Sequence, residues 1–326
     1  MNFRSIAAAA ALLLAASAAQ AADKTSLSVL KLASSGPVFL AQDLGHFAAE
    51  GLEVEFKFFA AAQPVAVAVV SGDAEFGVTG LTAVFYNLAG KGALKIIAGQ
   101  SREQPGYKLS AYMVSNQAHA AGVTTPAGFA GRSFAMTQTG STFHYMIGLL
   151  AEKKNFDLAK MRLIPLQGIP NMVAALKSGQ AETAIMPSTV ALPMVERGEA
   201  KLVGWAGDET PWQLGALFTS PKTLETRRAV VERFVRAYKK GTAAYDLAFQ
   251  KKSDPEATDK ALTILAKYTE QSKPSIAAGL PYIDPDARFS APDIARQVAY
   301  WQAQGQADKS VDAKEIAVTS FVASLD

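Results

Sequence analysis

The chain has 326 residues, 49% of them hydrophobic and 19% charged, and its 32 basic side chains exceed its 29 acidic ones by three. This length suits about two domains of ordinary size. The nearly balanced, scattered charge leaves no basic surface for a nucleic acid, so we expect no such partner. The lack of cysteine excludes disulfides, thiol nucleophiles and thiolate metal ligands.

The first 21 residues have the pattern of a secretory signal peptide. Arg4 supplies the positive charge, residues 6–16 form an apolar segment, and Ala19 and Ala21 flank Gln20 in a small-x-small cleavage site. The apolar segment is shorter than the ~20 residues that span a bilayer. We therefore expect signal peptide 1–21 to be removed, leaving a soluble protein in a bacterial periplasm.

Strands and helices alternate in the first third of the remaining chain. The apolar patterns predict strands at residues 26–32, 52–59, 76–78 and 94–98. Helical spacing predicts helices at residues 38–47, 64–70 and 81–88. This βαβ alternation is typical of an α/β fold with a parallel sheet.

The same alternation returns after a polar crossover segment at residues 100–106. Predicted strands lie at residues 109–114, 134–136, 161–166, 183–186 and 202–205, and predicted helices at 143–153, 172–177 and 190–196. A further apolar stretch at 216–219 resembles residues 112–114, and we pair the two as crossover strands. Beyond residue 221 the pattern predicts helices alone, at 231–249, 257–268 and 292–303.

One ten-residue stretch occurs twice. The sequence SGDAEFGVTG at 71–80 returns as SGQAETAIMP at 178–187. Residues 93–99 and 200–206 also correspond, and so do 35–39 and 139–143. Such a period is too long for a solenoid repeat of about 20–50 residues and indicates two similar lobes. Each copy ends a helix at a glycine and leads through a strand to a helix start, where open α/β sheets bind ligands.

These motifs together resemble those of a known family. The residues are PVFLA at 37–41, GHF at 45–47, EGLEV at 50–54, SGDAEFG at 71–77, GST at 140–142 and SGQAE at 178–182. The chain resembles the periplasmic solute-binding proteins of ABC transporters, in the nitrate, sulfonate and taurine group and its thiamine-pyrimidine-precursor branch.

The resemblance implies a two-lobed α/β fold of the type II kind. Two crossover strands would join the lobes, and a ligand would bind in the cleft between them. We expect residues 22–104 plus 219–326 in lobe 1 and residues 105–218 in lobe 2. It also implies an inner-membrane permease and its ATPase as partners of a monomeric binding protein.

The strongest candidate for a ligand contact is the helix start at Thr139, Gly140, Ser141, Thr142 and Phe143. Its hydroxyls and unpaired N–H groups suit an anionic oxygen, and we favour this interpretation over plain N-capping by Ser141 or Thr142, because the segment matches residues 35–39 across the repeat. Residues on neighbouring edges complete the candidate site: Ser35, Gly36, Phe39, Gly80, Leu81, Thr82, Gln100, Asn171 and Ser188.

Three larger side chains are further candidates. Arg102 could bind an anionic group, or it could be a surface arginine paired with Glu103. Trp205 and Trp212 could stack on a flat ligand, although core packing is equally consistent with Trp212. No metal-ligand spacing is present, so we expect neither metal nor cofactor.

These features favour a binding protein over an enzyme. The expected ligand is a small organic anion, such as an aromatic carboxylate or a sulfonate, and the alternative is a neutral pyrimidine-type precursor. A pyrimidine synthase that resembles this chain depends on a cysteine-rich segment, which argues against that activity here. A third possibility is a protein that presents its ligand to a sensor rather than a permease.

Overall fold

The computed structural model describes residues 21–325. The expected signal peptide lies outside the described residues except for Ala21. Within this range, none of the helices is long and apolar enough to cross a membrane.

The first lobe opens with four strands and four helices. The strands are β1 (Asp23–Leu30), β2 (Leu52–Phe59), β3 (Phe76–Gly80) and β4 (Lys95–Gly99). The helices are α1 (Gly36–Asp43), α2 (His46–Ala49), α3 (Ala62–Ser71) and α4 (Ala83–Gly90). A 3-10 turn, Ala33–Ser35, precedes α1. The short strand β5 (Ser101–Glu103) then leads out of this lobe.

The second lobe has the same alternation. Its strands are β6 (Ser110–Ser115), β7 (Ser133–Met136), β8 (Arg162–Pro165), β9 (Thr183–Pro187) and β10 (Ala200–Trp205). Its helices are α5 (Asn116–Ala120), α6 (Thr142–Lys154), α7 (Ile169–Ser178), α8 (Ser188–Glu196) and α9 (Ala206–Glu209).

The chain returns to the first lobe through two strands and then becomes mainly helical. The strands are β11 (Trp212–Gln213) and β12 (Gly215–Thr219). The helices are α10 (Pro221–Thr226), α11 (Arg228–Tyr245), α12 (Pro255–Thr269), α13 (Lys273–Ala278) and α14 (Ala291–Ala303), with a π-helical segment at Asp246–Lys251.

The sequence patterns do not predict one strand in this helical part. Strand β13 (Tyr282–Ile283) pairs with β5, so the expectation of helices alone after residue 221 is wrong. Two residues are too few to produce an alternating pattern, and this strand exists only because β5 lies beside it.

The two main sheets have the same strand order. The first is β2-β1-β3-β12-β4, and the second is β8-β7-β9-β6-β10. Read position by position, each strand of the first sheet has an equivalent in the second, so that β1 corresponds to β7 and β12 to β6. The duplicated stretches lead into β3 and β9, which occupy the same place in different sheets. Gly72 and Gly179 end the preceding helices with φ of +83° and +78°, a conformation that glycine adopts without a Cβ penalty. The repeat therefore marks two similar lobes, as predicted.

The lobe boundary differs from the prediction. Strand β12 pairs with β3 and β4, so residues 215–218 belong to the first sheet and not to the second lobe. Neither β12 nor β6 is the crossover itself, because each is the antiparallel strand of a main sheet. The chain crosses at β5 and β11, which pair with each other and with β13 in a small third sheet.

Candidate functional site

A cavity lies between the two lobes, where the carboxyl ends of β3 and β9 meet. It encloses about 700 Å³, open space at its mouth included. Its first-lobe wall consists of Leu30, Leu32, Ala33, Ser34, Ser35, Ala61, Ala62, Thr79, Gly80 and Gln100. Its second-lobe wall consists of Leu109, Ser110, Thr137, Thr142, Phe143, Met146, Ile169, Pro187, Ser188 and Thr189, and Leu214 and Pro281 close it.

The wall is apolar with a set of neutral polar groups. Among the described residues, no Lys, Arg, Asp or Glu lines it. The polar groups are the side-chain amide of Gln100 and hydroxyls from both lobes. Such a wall can bind hydrogen-bonding edges and flat apolar faces, but it supplies no charge to neutralise an ion.

Three oxygen atoms of the first-lobe wall have no hydrogen-bond partner within residues 21–325. They are Ser35 Oγ, Thr79 Oγ1 and Gln100 Oε1, and each of these residues is at most 3% exposed. Leaving a buried polar group unpaired costs about 1–3 kcal/mol. A ligand that hydrogen-bonds to these atoms would recover that cost, which makes this wall the best candidate for the ligand's polar edge.

Six of the residues expected at the site line this cavity: Ser35, Gly80, Gln100, Thr142, Phe143 and Ser188. Gly80 cannot be replaced without a clash, because a Cβ there would lie 2.5 Å from Cγ2 of Thr142 in the other lobe. The hydroxyl of Ser188 donates to the carbonyl oxygen of Gly279 on the helical cover. The contact of these six residues with a ligand stays a prediction.

Two expected site residues are helix caps. The Ser141 hydroxyl accepts a hydrogen bond from the His144 backbone N–H at 3.3 Å, at the start of α6. The Thr82 hydroxyl accepts one from the Phe85 N–H at 3.1 Å, at the start of α4. Neither residue lines the cavity, so the capping interpretation of Ser141 is the one that the geometry favours.

Thr139 and Gly140 join the lobes instead of lining the cavity. The Thr139 carbonyl oxygen accepts a hydrogen bond from Gln63 Nε2 of the first lobe at 2.9 Å. Gly140 has a φ of +75°, and a Cβ there would lie 2.9 Å from the Cβ of Ala83. This close approach needs glycine for both its conformation and its size.

Arg102 lies away from the cavity, contrary to expectation. It lines a surface depression with Trp212, Asp293 and Arg296. The flanking residues of β5, Ser101 and Glu103, are buried, so alternation along the strand turns Arg102 to the other side. The pairing of Arg102 with Glu103 is also absent from the ion pairs of the described residues, and burial raises the pKa of Glu103 to about 8.

Two aromatic candidates pack in the interior. Phe39 is fully buried and stacks on Tyr268, with ring centroids 4.4 Å apart. Trp212 is buried against Tyr145 of α6, with centroids 4.7 Å apart. Trp205 is partly buried and lies under Lys108, whose Nζ is 5.8 Å from the ring centroid.

The remaining candidates have structural contacts. Gly36 packs under the Tyr245 ring, which a Cβ would approach to 3.2 Å. The Leu81 N–H donates to the Leu214 carbonyl oxygen at 2.8 Å, and Asn171 Nδ2 donates to that of Leu166 at 2.8 Å. None of the three lines the cavity.

Sequence reasoning missed several hydroxyls of the wall. Thr79 lies at the end of β3, Thr137 directly follows β7, and Thr189 is the second residue of α8. All three come where a strand ends or a helix begins, and a search for hydroxyls at that point of each predicted βα unit would have found them. Met146 and Ile169 carry no such signal, because an apolar helix residue is ordinarily core.

No group of three or more acidic or imidazole side chains within residues 21–325 is arranged to hold a metal ion. Desolvation lowers the pKa of His144, which accepts a hydrogen bond at Nδ1 from the Gly140 N–H at 3.0 Å. This histidine is therefore part of the helix start and not a free base in the cavity.

Solved structures share the overall fold of this chain. The alkanesulfonate-binding protein of Xanthomonas axonopodis pv. citri, bound to MOPS, is 16% identical, with a TM-score of 0.73 over 90% of this chain and 98% of that one. A Candida albicans gene product with the generic periplasmic binding protein fold is 17% identical, with a TM-score of 0.71 over 91% and 96%.

The periplasmic nitrate-binding protein of Synechocystis PCC 6803 is 14% identical, with a TM-score of 0.71 over 90% of this chain and 85% of that one. A search of curated proteins gives no match. The chain thus has the two-lobed periplasmic binding protein fold. Residues 33–248, about two thirds of the chain, match the NMT1/THI5-like family, and the protein belongs to that family.

Proposed function

We propose that the protein is the solute-binding component of a bacterial ABC importer. In the periplasm it would hold one small, flat, uncharged molecule in the cavity between its lobes and deliver it to an inner-membrane permease and its ATPase. The observation that carries this proposal is the cavity between the lobes with three buried oxygens, at Ser35, Thr79 and Gln100, that have no partner within residues 21–325.

The lack of charge in the wall favours a neutral ligand. An ion that moves from water into such a cavity loses the free energy of its hydration. No side chain of the described wall carries an opposite charge that would compensate this loss. Gln100 can present a donor or an acceptor by turning its amide, and hydroxyls do both. These groups match the alternating N and N–H edge of a pyrimidine-type heterocycle, whose flat faces suit the apolar wall.

A specific observation keeps an anion as the second candidate. Helices α6 and α8 both begin at the cavity, with Thr142 and with Ser188 and Thr189. Helix starts favour negative charge through unpaired N–H groups, by roughly 0.3–1 kcal/mol each when exposed. An alkanesulfonate or an aromatic carboxylate would use them, and the likeness to an alkanesulfonate-binding protein agrees with this alternative.

We propose binding without turnover. The chain has no cysteine. The polar side chains of the wall are hydroxyls and an amide, and none of the described residues that line it is a histidine or a carboxylate. A hydroxyl without an adjacent base is a weak nucleophile.

Calorimetric titration of the mature protein tests both candidates. The panel contains 4-amino-2-methylpyrimidine, uracil, benzoate, ethanesulfonate and nitrate. We expect the pyrimidines to bind most tightly and to remain chemically unchanged. Tighter binding of the anions would establish the second candidate, whereas conversion of a pyrimidine to product would contradict the binding role.

Delivery to a permease needs its own test. Proteoliposomes with the permease and ATPase encoded nearest to this gene should take up the bound pyrimidine only when the mature protein is present outside. Uptake without this protein would contradict its role in transport and would favour a sensor as the receiving partner.

A further inference from the structure

A second depression opens directly beside the cavity. We call it the outer groove and define it by Leu32, Phe58, Phe59, Ile169, Pro170 and Val190. Leu30, Leu32 and Ile169 line both spaces, so the groove continues the cavity toward solvent. It encloses about 780 Å³, open solvent included.

The groove is apolar and partly exposed. The Phe58 side chain is 40% exposed, although a phenylalanine gains about 1.5–3 kcal/mol when it is fully buried. The one charged side chain that lines the groove within residues 21–325 is Lys31, and its Nζ already pairs with Glu270 and lies 5.3 Å above the Phe58 ring. A group bound in this groove would therefore contact apolar side chains and a lysine that is already paired with a glutamate.

The two walls of the groove come from different lobes. Leu32, Phe58 and Phe59 belong to the first lobe, whereas Ile169, Pro170 and Val190 belong to the second. The groove exists as one surface only while the lobes are together. An apolar group lying in it would bury surface of both lobes and so stabilise the closed form.

We infer that the outer groove is a second compartment of the ligand site, and that it takes an uncharged alkyl or aryl arm of a ligand whose polar head lies in the cavity. This inference rests on the proposed function. Such a ligand is amphiphilic, because the unpartnered polar groups lie in the cavity, whereas the groove offers apolar surface and a paired lysine.

Two homologous series of probes test the arm independently of the head. One is 4-amino-2-methylpyrimidine with a 5-alkyl arm of zero to six carbons, and the other is the n-alkanesulfonates from methane- to hexanesulfonate. In whichever series binds, we expect affinity to rise about fourfold per added methylene until the groove is filled. Calorimetry measures each dissociation constant.

Single substitutions test whether the groove causes the rise in affinity with arm length. Phe58→Ser and Val190→Ser should reduce the gradient to less than twofold per methylene and leave the affinity of the armless probe unchanged. Val67→Ser is the control, because Val67, like Phe58, is an exposed apolar residue, and it lies on α3 outside the groove. It should keep the full gradient.

The outcomes separate this inference from the proposed function. If the armless probes bind but neither series shows a gradient, or if Phe58→Ser keeps it, the inference is wrong and the proposed function stands. If no probe of either series binds, the proposed function fails and the inference fails with it. A wild-type dimer that Phe58→Ser converts to a monomer in sedimentation would instead assign the groove to contact between copies.

Discussion

The backbone N–H of Ala83 in the first lobe donates a hydrogen bond of 2.9 Å to the carbonyl oxygen of Gly140 in the second. This bond ties the start of α4 to the segment before α6 and holds the lobes together beside the cavity. Gln63 Nε2 adds a second bond to the carbonyl oxygen of Thr139. The segment that resembles a ligand-binding helix start thus contributes to closure.

Gly140→Ala should open the lobes. The new Cβ would lie 2.9 Å from that of Ala83, and the residue has a φ of +75°. Left-handed backbone costs an alanine about 1–2 kcal/mol. We expect roughly five- to tenfold weaker ligand binding, because the close contact with Ala83 is relieved only when the lobes open. Small-angle scattering should show a larger radius of gyration.

Gly131→Ala is the matched control for that experiment. Gly131 has a similar φ of +72° in the same lobe, but no atom of residues 21–325 beyond its chain neighbours lies within 4 Å of its Cβ position. It should lower the melting temperature to a similar extent and leave the ligand affinity unchanged. An equal loss of affinity in both variants would assign the effect to backbone strain rather than closure.

Ser141→Ala and Thr142→Val should separate capping from ligand contact. Ser141 caps α6, so its loss should cost about 0.5–2 kcal/mol of stability without ligand and change affinity little. Thr142 lines the cavity, so its loss should weaken binding by about 0.5–1.5 kcal/mol and leave ligand-free stability nearly unchanged. Ligand-free melting and calorimetric titration measure the two effects. If Ser141→Ala weakens binding and Thr142→Val lowers only the stability, Ser141 is the ligand contact.

Gln100→Leu should stabilise or leave unchanged the ligand-free protein while it weakens binding. Its Oε1 is buried without a partner in the described part of the chain, so its removal relieves an unpaired polar group. The ligand then loses a hydrogen bond worth about 0.5–1.5 kcal/mol. Unchanged affinity with higher stability would mean that Gln100 does not contact the ligand.

Glu103 should make the stability depend on pH. Burial raises its pKa from 4.5 to about 8, with Asp208 adding to the rise, whereas Ser110 and the Gly207 N–H lower it. The folded protein therefore binds a proton between about pH 4.5 and 8 that the unfolded chain releases. This contribution to stability is fully present below pH 4.5 and is lost progressively as pH rises through about 8.

Glu103→Gln should remove that dependence. Denaturant titrations from pH 5 to pH 9 should show a flatter stability profile than wild type, with the variant the more stable of the two at pH 9. A wild-type profile that rises over the same range would show that Glu103 is ionised in the folded protein.

Local sequence patterns predict much of this architecture. The alternation of apolar residues, the helix ends at Gly72 and Gly179, and the duplicated stretch at 71–80 and 178–187 predict two lobes of the same topology. These features depend on residues within a few positions of each other, since helix and strand periods and glycine caps act over one or two turns. The cap at Ser141 is local for the same reason, although the sequence left it open whether Ser141 or Thr142 was the cap.

The composition of the site was decided by the tertiary structure. Arg102 turns away from the cavity because β5 pairs with β11 and β13, and the partners of a strand set which face is buried. Strand β12 joins the first sheet across more than a hundred residues of chain. Thr79 and Ser110 line the same cavity only because the two lobes face each other. Such pairings depend on contacts between distant segments, and no local pattern in the sequence records them.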